Sequence, residues 1–240
     1  MRHAIFGDIH SNLEAFDAVI KDARTEEVEG FVCVGDVVGY GAEPSACIDR
    51  VQELSCHIVR GNHDHYCCHT DALNDMNPAA ANVVRWTRDR LTAAHLEFLR
   101  RMRMVRSLDG FTIVHSTLDE PGKWGYVFEE MEAEASFTYQ TTPVCFHGHT
   151  HVPCVYENEH GVRKGSYHKI KVASGKQYFI NVGSVGQPRD GDSRAAYVLY
   201  DSKAKELELR RVVYDITGAQ RKILDAGLPP GLAHRLALGK

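Results

Sequence analysis

Three times between Met1 and Asp64 a short apolar stretch runs straight into a cluster of polar residues, and no other feature constrains the fold as much. His3 to Gly7 reads as a strand opening on the loop Asp8 to Asn12, and Leu13 to Ala23 carries apolar residues at helical spacing. Phe31 to Val34 is a second strand, ending at Gly35-Asp36. Pro44 to Leu54 reads as a helix with proline in its first turn, and Ile58-Val59 leads into Gly61-Asn62-His63-Asp64. Strand, helix, strand, helix, strand is βαβαβ organisation. Ligands of open α/β sheets bind at the carboxyl ends of the strands, which is where these polar clusters fall.

The chain then changes character. Pro78 to Met104 reads as two helices, with Asn77 and Thr92 as caps. Val105 to Leu108 and Phe111 to His115 flank Asp109-Gly110, a strong hairpin signal. Further strands are expected over Val144 to Phe146, Val152 to Tyr156, Tyr178 to Val182, Ala195 to Tyr200 and Leu207 to Val213. Gly161 to Ser166 and Ala173 to Lys176 read as hairpin turns. With no repeat, low-complexity tract or linker, the 240 residues are expected to form a single domain, 1–240.

The chemistry lies in five clusters. Asp8 and His10 are two apart, so in an extended chain both side chains point to one face. Asp36 follows Gly35, whose missing Cβ lets the backbone turn close beneath a ligand. Asn62, His63 and Asp64 follow a strand with no spacer but Gly61. His115 ends Ile113-Val114-His115, and Gly148-His149-Thr150-His151 places two imidazoles two apart at another strand end. Asp8-x-His10 and Gly35-Asp36 are weak signals alone, Gly61-Asn62-His63-Asp64 is much more specific, and the ordered set of strand-end clusters decides. His147 should face away from the ligands by strand alternation.

Composition narrows the partners. A net charge of −4 and a pI near 6.4 give no general drive toward a nucleic-acid polymer or an anionic membrane, so any phosphate affinity must be local. No apolar run approaches the roughly 20 residues of a membrane span. The start has no secretory leader, and the seven scattered cysteines do not read as a disulfide framework; a cytoplasmic location is the expectation.

Asp8-x-His10, Gly35-Asp36, Gly61-Asn62-His63-Asp64, His115 and Gly148-His149-x-His151 resemble, in order, the complete signature of the calcineurin-like metallophosphoesterase family, and the run Asn181 to Arg189 resembles its prokaryotic branch. The resemblance implies an α/β (α+β) fold: a β-sandwich of two mixed sheets flanked by helices, four layers in all. It implies that Asp8, His10, Asp36 and His151 hold one metal and Asp36, Asn62, His115 and His149 the other. Asp36 would then bridge. Oxygen and imidazole donors suit Mn, Fe, Zn, Co or Ni without choosing among them. Two cations about 3.5–4 Å apart supply a hydroxide nucleophile and clamp the phosphoryl oxygens. His63 would protonate the leaving oxygen, with Asp64 orienting its ring, and Asn62, His63 and Arg189 would contact substrate.

The implied function is therefore a phosphatase or phosphodiesterase acting on a small phosphorylated substrate, with a homodimer compatible. Protein phosphatases of this family carry Asp-Arg-Gly after the second cluster and Gly-Asn-His-Glu at the third, whereas this chain has Val37 to Gly41 and Asp64. A protein phosphatase, or a hydrolase of diadenosine tetraphosphate and other nucleotide polyphosphates, is thus the alternative reading, and a catalytically inactive scaffold the remote one. Arg60 is expected to be satisfied locally, and Arg100, Arg101, Arg103 and Arg106 to form a solvated face. His65 to His69 reads as a loop with partly buried side chains in preference to a lining of the mouth. Trp124 and Tyr126 are open between substrate wall and core.

Overall fold

The computed structural model describes residues 1–69, 73 and 78–240, so the Asn77 cap lies outside the described residues. The predicted opening is present: β1 (Arg2–Phe6), α1 (Leu13–Thr25), β2 (Gly30–Cys33), α2 (Pro44–Glu53) and β3 (His57–Ile58), with the three strands parallel. Asn12 caps α1 by accepting the Ala15 N–H at 3.1 Å, and Phe16, Val19, Ile20 and Ala23 form its buried stripe. Next come α3 (Asn62–Cys68), α4 (Pro78–Arg88), α5 (Ala93–Arg101), β4 (Val105–Leu108), β5 (Phe111–Val114), α6 (Glu130–Tyr139), β6 (Val144–His147) and β7 (Cys154–Asn158). The chain ends with β8 (Val162–Gly165), β9 (Lys169–Lys171), β10 (Gln177–Asn181), β11 (Ala195–Asp201), β12 (Glu206–Val212), α7 (Ile216–Asp225) and α8 (Pro230–Leu238).

The strands form two mixed six-stranded sheets, ordered β3-β2-β1-β11-β12-β9 and β4-β5-β6-β10-β7-β8. Period-two alternation sorts their side chains into layers. From β1, Ile5 points between the sheets with Val32, Phe111, Ile113, Phe146 and Ile180. Ala4 and Phe6 point outward to Phe16, Val19 and Ile48 of the helices. On the far side Val114, Cys145 and Phe179 of the second sheet meet Ala133 and Phe137 of α6. Helix, sheet, sheet, helix is the expected four-layer order.

Three local expectations are corrected. Residues 62–68 are helical because extended Gly61 is the N-cap and Asp64, at the third helical position, accepts its N–H at 3.0 Å. Residues 162–165 belong to β8, paired with β7, so the turn there is shorter than expected. The turn after β9 joins strands of different sheets and closes no hairpin. By contrast, Asp109-Gly110 does close one, with Leu108 opposite Phe111. All seven cysteines are unpaired, and all but Cys56 are buried. Among the described residues, no helix is long and apolar enough to cross a membrane.

Candidate metal centre

β1, β2 and β3 run parallel, as do β5, β6 and β10, so the carboxyl ends within each sheet share an edge. Asp8, His10, Asp36 and Asn62 follow strands of the first sheet; His115, His149 and His151 follow strands of the second. The two sets meet. Asp8, His10 and His151 each offer a ligand atom within 4.8 Å of the others, and so do Asp36, His115 and His149. His151 Nε2 lies 3.2 Å from Asp8 Oδ1 and 3.0 Å from His10 Nε2. His115 Nε2 lies 3.1 Å from both His149 Nδ1 and Asn62 Oδ1. Asp36 stands between the groups: its Oδ2 is 3.6 Å from His10 Nε2 and 3.4 Å from His115 Nε2.

The other nitrogen of each ring shows what this arrangement suits. His10 Nδ1 faces the Val38 carbonyl at 3.1 Å, His115 Nδ1 that of Val34 at 2.9 Å, His149 Nε2 that of Trp124 at 2.9 Å and His151 Nδ1 that of Gln187 at 2.6 Å. A nitrogen facing a carbonyl must donate, so each neutral ring turns its lone pair on the opposite nitrogen into the cluster. Lone pairs and carboxylates converging in a buried space are the donor set of a transition-metal cation, and the outward carbonyls are the supports that orient such ligands. The residues fit a metal site.

Electrostatics agree with the geometry. Burial lowers His10, His63 and His151 and takes His149 to about 3, which keeps these rings neutral. At His115 burial opposes the charge, yet the Asp36 carboxylate pushes it up to about 9. Asp36, despite its own burial, is held well below the usual carboxylate range by His115 and His63. A proton on His115 Nε2 and a cation compete for one nitrogen.

The backbone here is not extended, which corrects the route by which Asp8 and His10 were expected to converge. Asp8, His10, Ser11, Asp36, Tyr40, His149 and His151 all have φ between 48° and 70°. Left-handed non-glycine residues cost on the order of 1–3 kcal/mol each and need surroundings that hold them. Those surroundings are visible. Gly186 N donates to Asp8 O at 2.9 Å and Ser184 Oγ to the same oxygen at 2.8 Å. Asn181 Nδ2 donates to Gly148 O at 2.6 Å. The strand-end pattern does not point to Ser184 or Asn181 individually, because most of their partners are main-chain atoms.

Asp64 is a second correction. Its Oδ2 accepts the N–H groups of Asp36 (2.8 Å) and Gly61 (3.0 Å), and its Oδ1 those of Val37 (2.9 Å) and Val38 (3.2 Å). The carboxylate is spent on the Asp36 loop and does not orient the His63 ring. His63 Nδ1 is buried without a hydrogen-bond partner, facing Gly39, where a Cβ would overlap it. Its ring packs against Tyr40 and His10 at centroid distances of 4.4 and 4.9 Å. A nitrogen of His63 also shares the 4.8 Å span with His10 and Asp36.

The remaining residues sort by position. Arg189 donates to Gln187 Oε1 at 2.8 Å, and its guanidinium carbon sits 5.8 Å from the Tyr40 ring centroid, beside the cluster. Arg60 donates to the carbonyls of Leu99 (3.2 Å) and Met102 (2.9 Å), a local role. His147 stacks on Phe179 at 4.0 Å, turned away from the donors. Tyr126 stacks on His149 at 4.2 Å, which puts it at the rim and not in the core.

Residues 1–205 match the model of the calcineurin-like phosphoesterase superfamily domain. The chain belongs to this superfamily. A metallophosphoesterase from Sphaerobacter thermophilus superimposes with a TM-score of 0.89 at 37% identity, over 100% of this chain and 99% of that one. An uncharacterized protein of Methanocaldococcus jannaschii is 36% identical over 99% of this chain and 98% of its own length. A hypothetical protein from Pyrococcus horikoshii shares the fold, with a TM-score of 0.83 at 17% identity over 100% of this chain and 98% of that one. For a superfamily member, the clustered donors indicate divalent-metal binding at this edge.

Proposed function

We propose that the chain is a two-metal hydrolase of small phosphate esters, a phosphatase or phosphodiesterase. Asp8, His10, Asp36 and His151 would hold one cation; Asp36, Asn62, His115 and His149 would hold the other. One observation carries this reading: Asp36 Oδ2 lies within 3.6 Å of imidazole nitrogens from both groups, the position of a bridging ligand. Two bound cations supply an acidified water as nucleophile and neutralise charge on the phosphoryl oxygens.

The chain's own residues do the rest. Val34, Val38, Trp124 and Gln187 fix the ring tautomers of the four ligand histidines through their carbonyls. Among the described residues His63 Nδ1 meets no such carbonyl, so its proton is not committed to the backbone. Once protonated beside the bound phosphate, it would be the general acid for the leaving oxygen. Arg189, beside Tyr40, meets a non-bridging oxygen of the substrate. Asp64 is a positioning residue that holds the Asp36 loop through four backbone amides.

The test is turnover of p-nitrophenyl phosphate, its bis-ester, diadenosine tetraphosphate, cyclic nucleotides and a phosphopeptide by protein loaded with Mn, Fe, Zn, Co or Ni, alongside metal analysis. Two equivalents of metal per chain and hydrolysis of at least one ester are expected. Full metal loading with no hydrolysis of any of them would favour the inactive scaffold.

A further inference from the structure

After the 3-10 turn Pro121–Lys123, residues 124–128 pass along the rim of the metal edge without regular secondary structure. The segment is pinned on its inner side. Trp124 O accepts from His149 Nε2 at 2.9 Å, and Val127, 2% exposed, has its carbonyl bonded by Tyr156 Oη at 3.0 Å. Its neighbours Tyr126 and Phe128 are each 50% exposed.

These two rings are ordered relative to the site. Tyr126 lies on the His149 ring at a centroid distance of 4.2 Å and an interplanar angle of 21°. Phe128 lies on Tyr126 at 5.6 Å and 7°, an offset parallel stack. A stair of three rings therefore leads from a candidate ligand outward to solvent. The cationic side of the mouth lies elsewhere, at Arg189 and Tyr40 against His10 and His63. The mouth thus offers charge on one flank and flat apolar faces on the other. Contiguous exposed apolar surface beside a polar site marks a binding surface.

We infer that Tyr126 and Phe128 are a stacking platform for a planar aromatic group, nucleobase-like, carried by the phosphate ester whose phosphoryl group sits at the metals. This deepens the hydrolase reading and rests on it. Stacking on an aromatic side chain tolerates any flat ring, so the platform selects planar over aliphatic esters without reading a sequence of hydrogen bonds.

The experiment is calorimetric titration of the Mn-loaded protein with two non-hydrolysable phosphonates, in which a methylene replaces the ester oxygen: the analogues of adenosine 5′-monophosphate and of ribose 5-phosphate. The adenosine analogue should bind roughly tenfold tighter, the scale expected of one base–aromatic stack. Phe128→Ala should remove most of that ratio and Phe128→Trp should keep it. Equal affinities, or a ratio untouched by Phe128→Ala and by Tyr126→Ala, overturn the platform and leave the phosphate-ester reading standing. Failure of both analogues to bind fully metal-loaded protein overturns the two together. A dimer seen by light scattering that Phe128→Ala dissociates assigns the rings to a second copy of the chain and also overturns the platform.

Discussion

The two ends of the sandwich are built from the same strands but under opposite rules. At the metal end, left-handed backbone falls on Asp8, His10, Asp36, His149 and His151, buried residues whose side chains are committed to one another. At the far end it falls on the exposed Glu27, Ser55 and Lys205 and on Gly110, Gly161 and Gly175, glycines where an added Cβ would meet nothing. The metal end also leaves Gly35 and Gly61 no room: a Cβ on Gly35 would stand 2.6 Å from Gly61 N, and one on Gly61 would overlap Asp36 Oδ1. One end stores strain and spends hydrogen bonds to hold it; the other merely reverses the chain.

Substitutions can break that contrast or sharpen it. Asp36→Ala should have the largest effect, since it removes the shared donor. Metal content should fall below two equivalents, and kcat/KM should drop by more than the about 10–100-fold that outer supports cost. A variant retaining both metals would refute the bridging role. His63→Ala should keep both metals while kcat falls about 10²–10⁴-fold. Normal turnover would remove His63 from the chemistry.

Asp64→Ala should act on stability first, because it strands buried backbone amides. A loss of at least about 3 kcal/mol is expected, read as a Tm lower by roughly 6–12 °C. Melting unchanged from wild type would mean the Asp36 loop holds itself. The glycine pair is the most direct comparison. Gly61→Ala should disturb Asp36 and lower both metal uptake and Tm, whereas Gly110→Ala, strained only by its φ of 86°, should cost about 1 kcal/mol and spare metal uptake. Equal effects at the two positions would erase the distinction between the ends.

Much of this was legible in the sequence, for reasons that differ by element. The parallel opening followed from hydrophobic period and caps, and the donors converge because they close strands that share an edge. The route of convergence was not legible. Nothing in Asp8-x-His10 signals that both residues adopt positive φ, since the backbone is held there from elsewhere in the chain, at Asp8 by Gly186 and Ser184 and at His10 by Asp36 and Gly41. Gly61-Asn62-His63-Asp64 hid its second meaning: the acidic residue three after Gly61 is a helix-start signal as well as a member of a polar cluster. β8 and β9, reading Val-Arg-Lys-Gly and Lys-Ile-Lys, are short edge strands with little apolar alternation to detect. The four supporting carbonyls carry no side-chain signature at all.

Each of the two donor groups takes members from both sheets: Asp8 and His10 face His151, while Asp36 and Asn62 face His115 and His149. A cation in either group is consequently a rivet across the seam of the sandwich. Sliding one sheet past the other by an ångström would pull both donor groups apart at once, so the register of the layers and the geometry of the donors are a single mechanical quantity. The far end is held across the seam by rings instead, Phe111 of the second sheet lying 5.4 Å from both His3 and Tyr200 of the first.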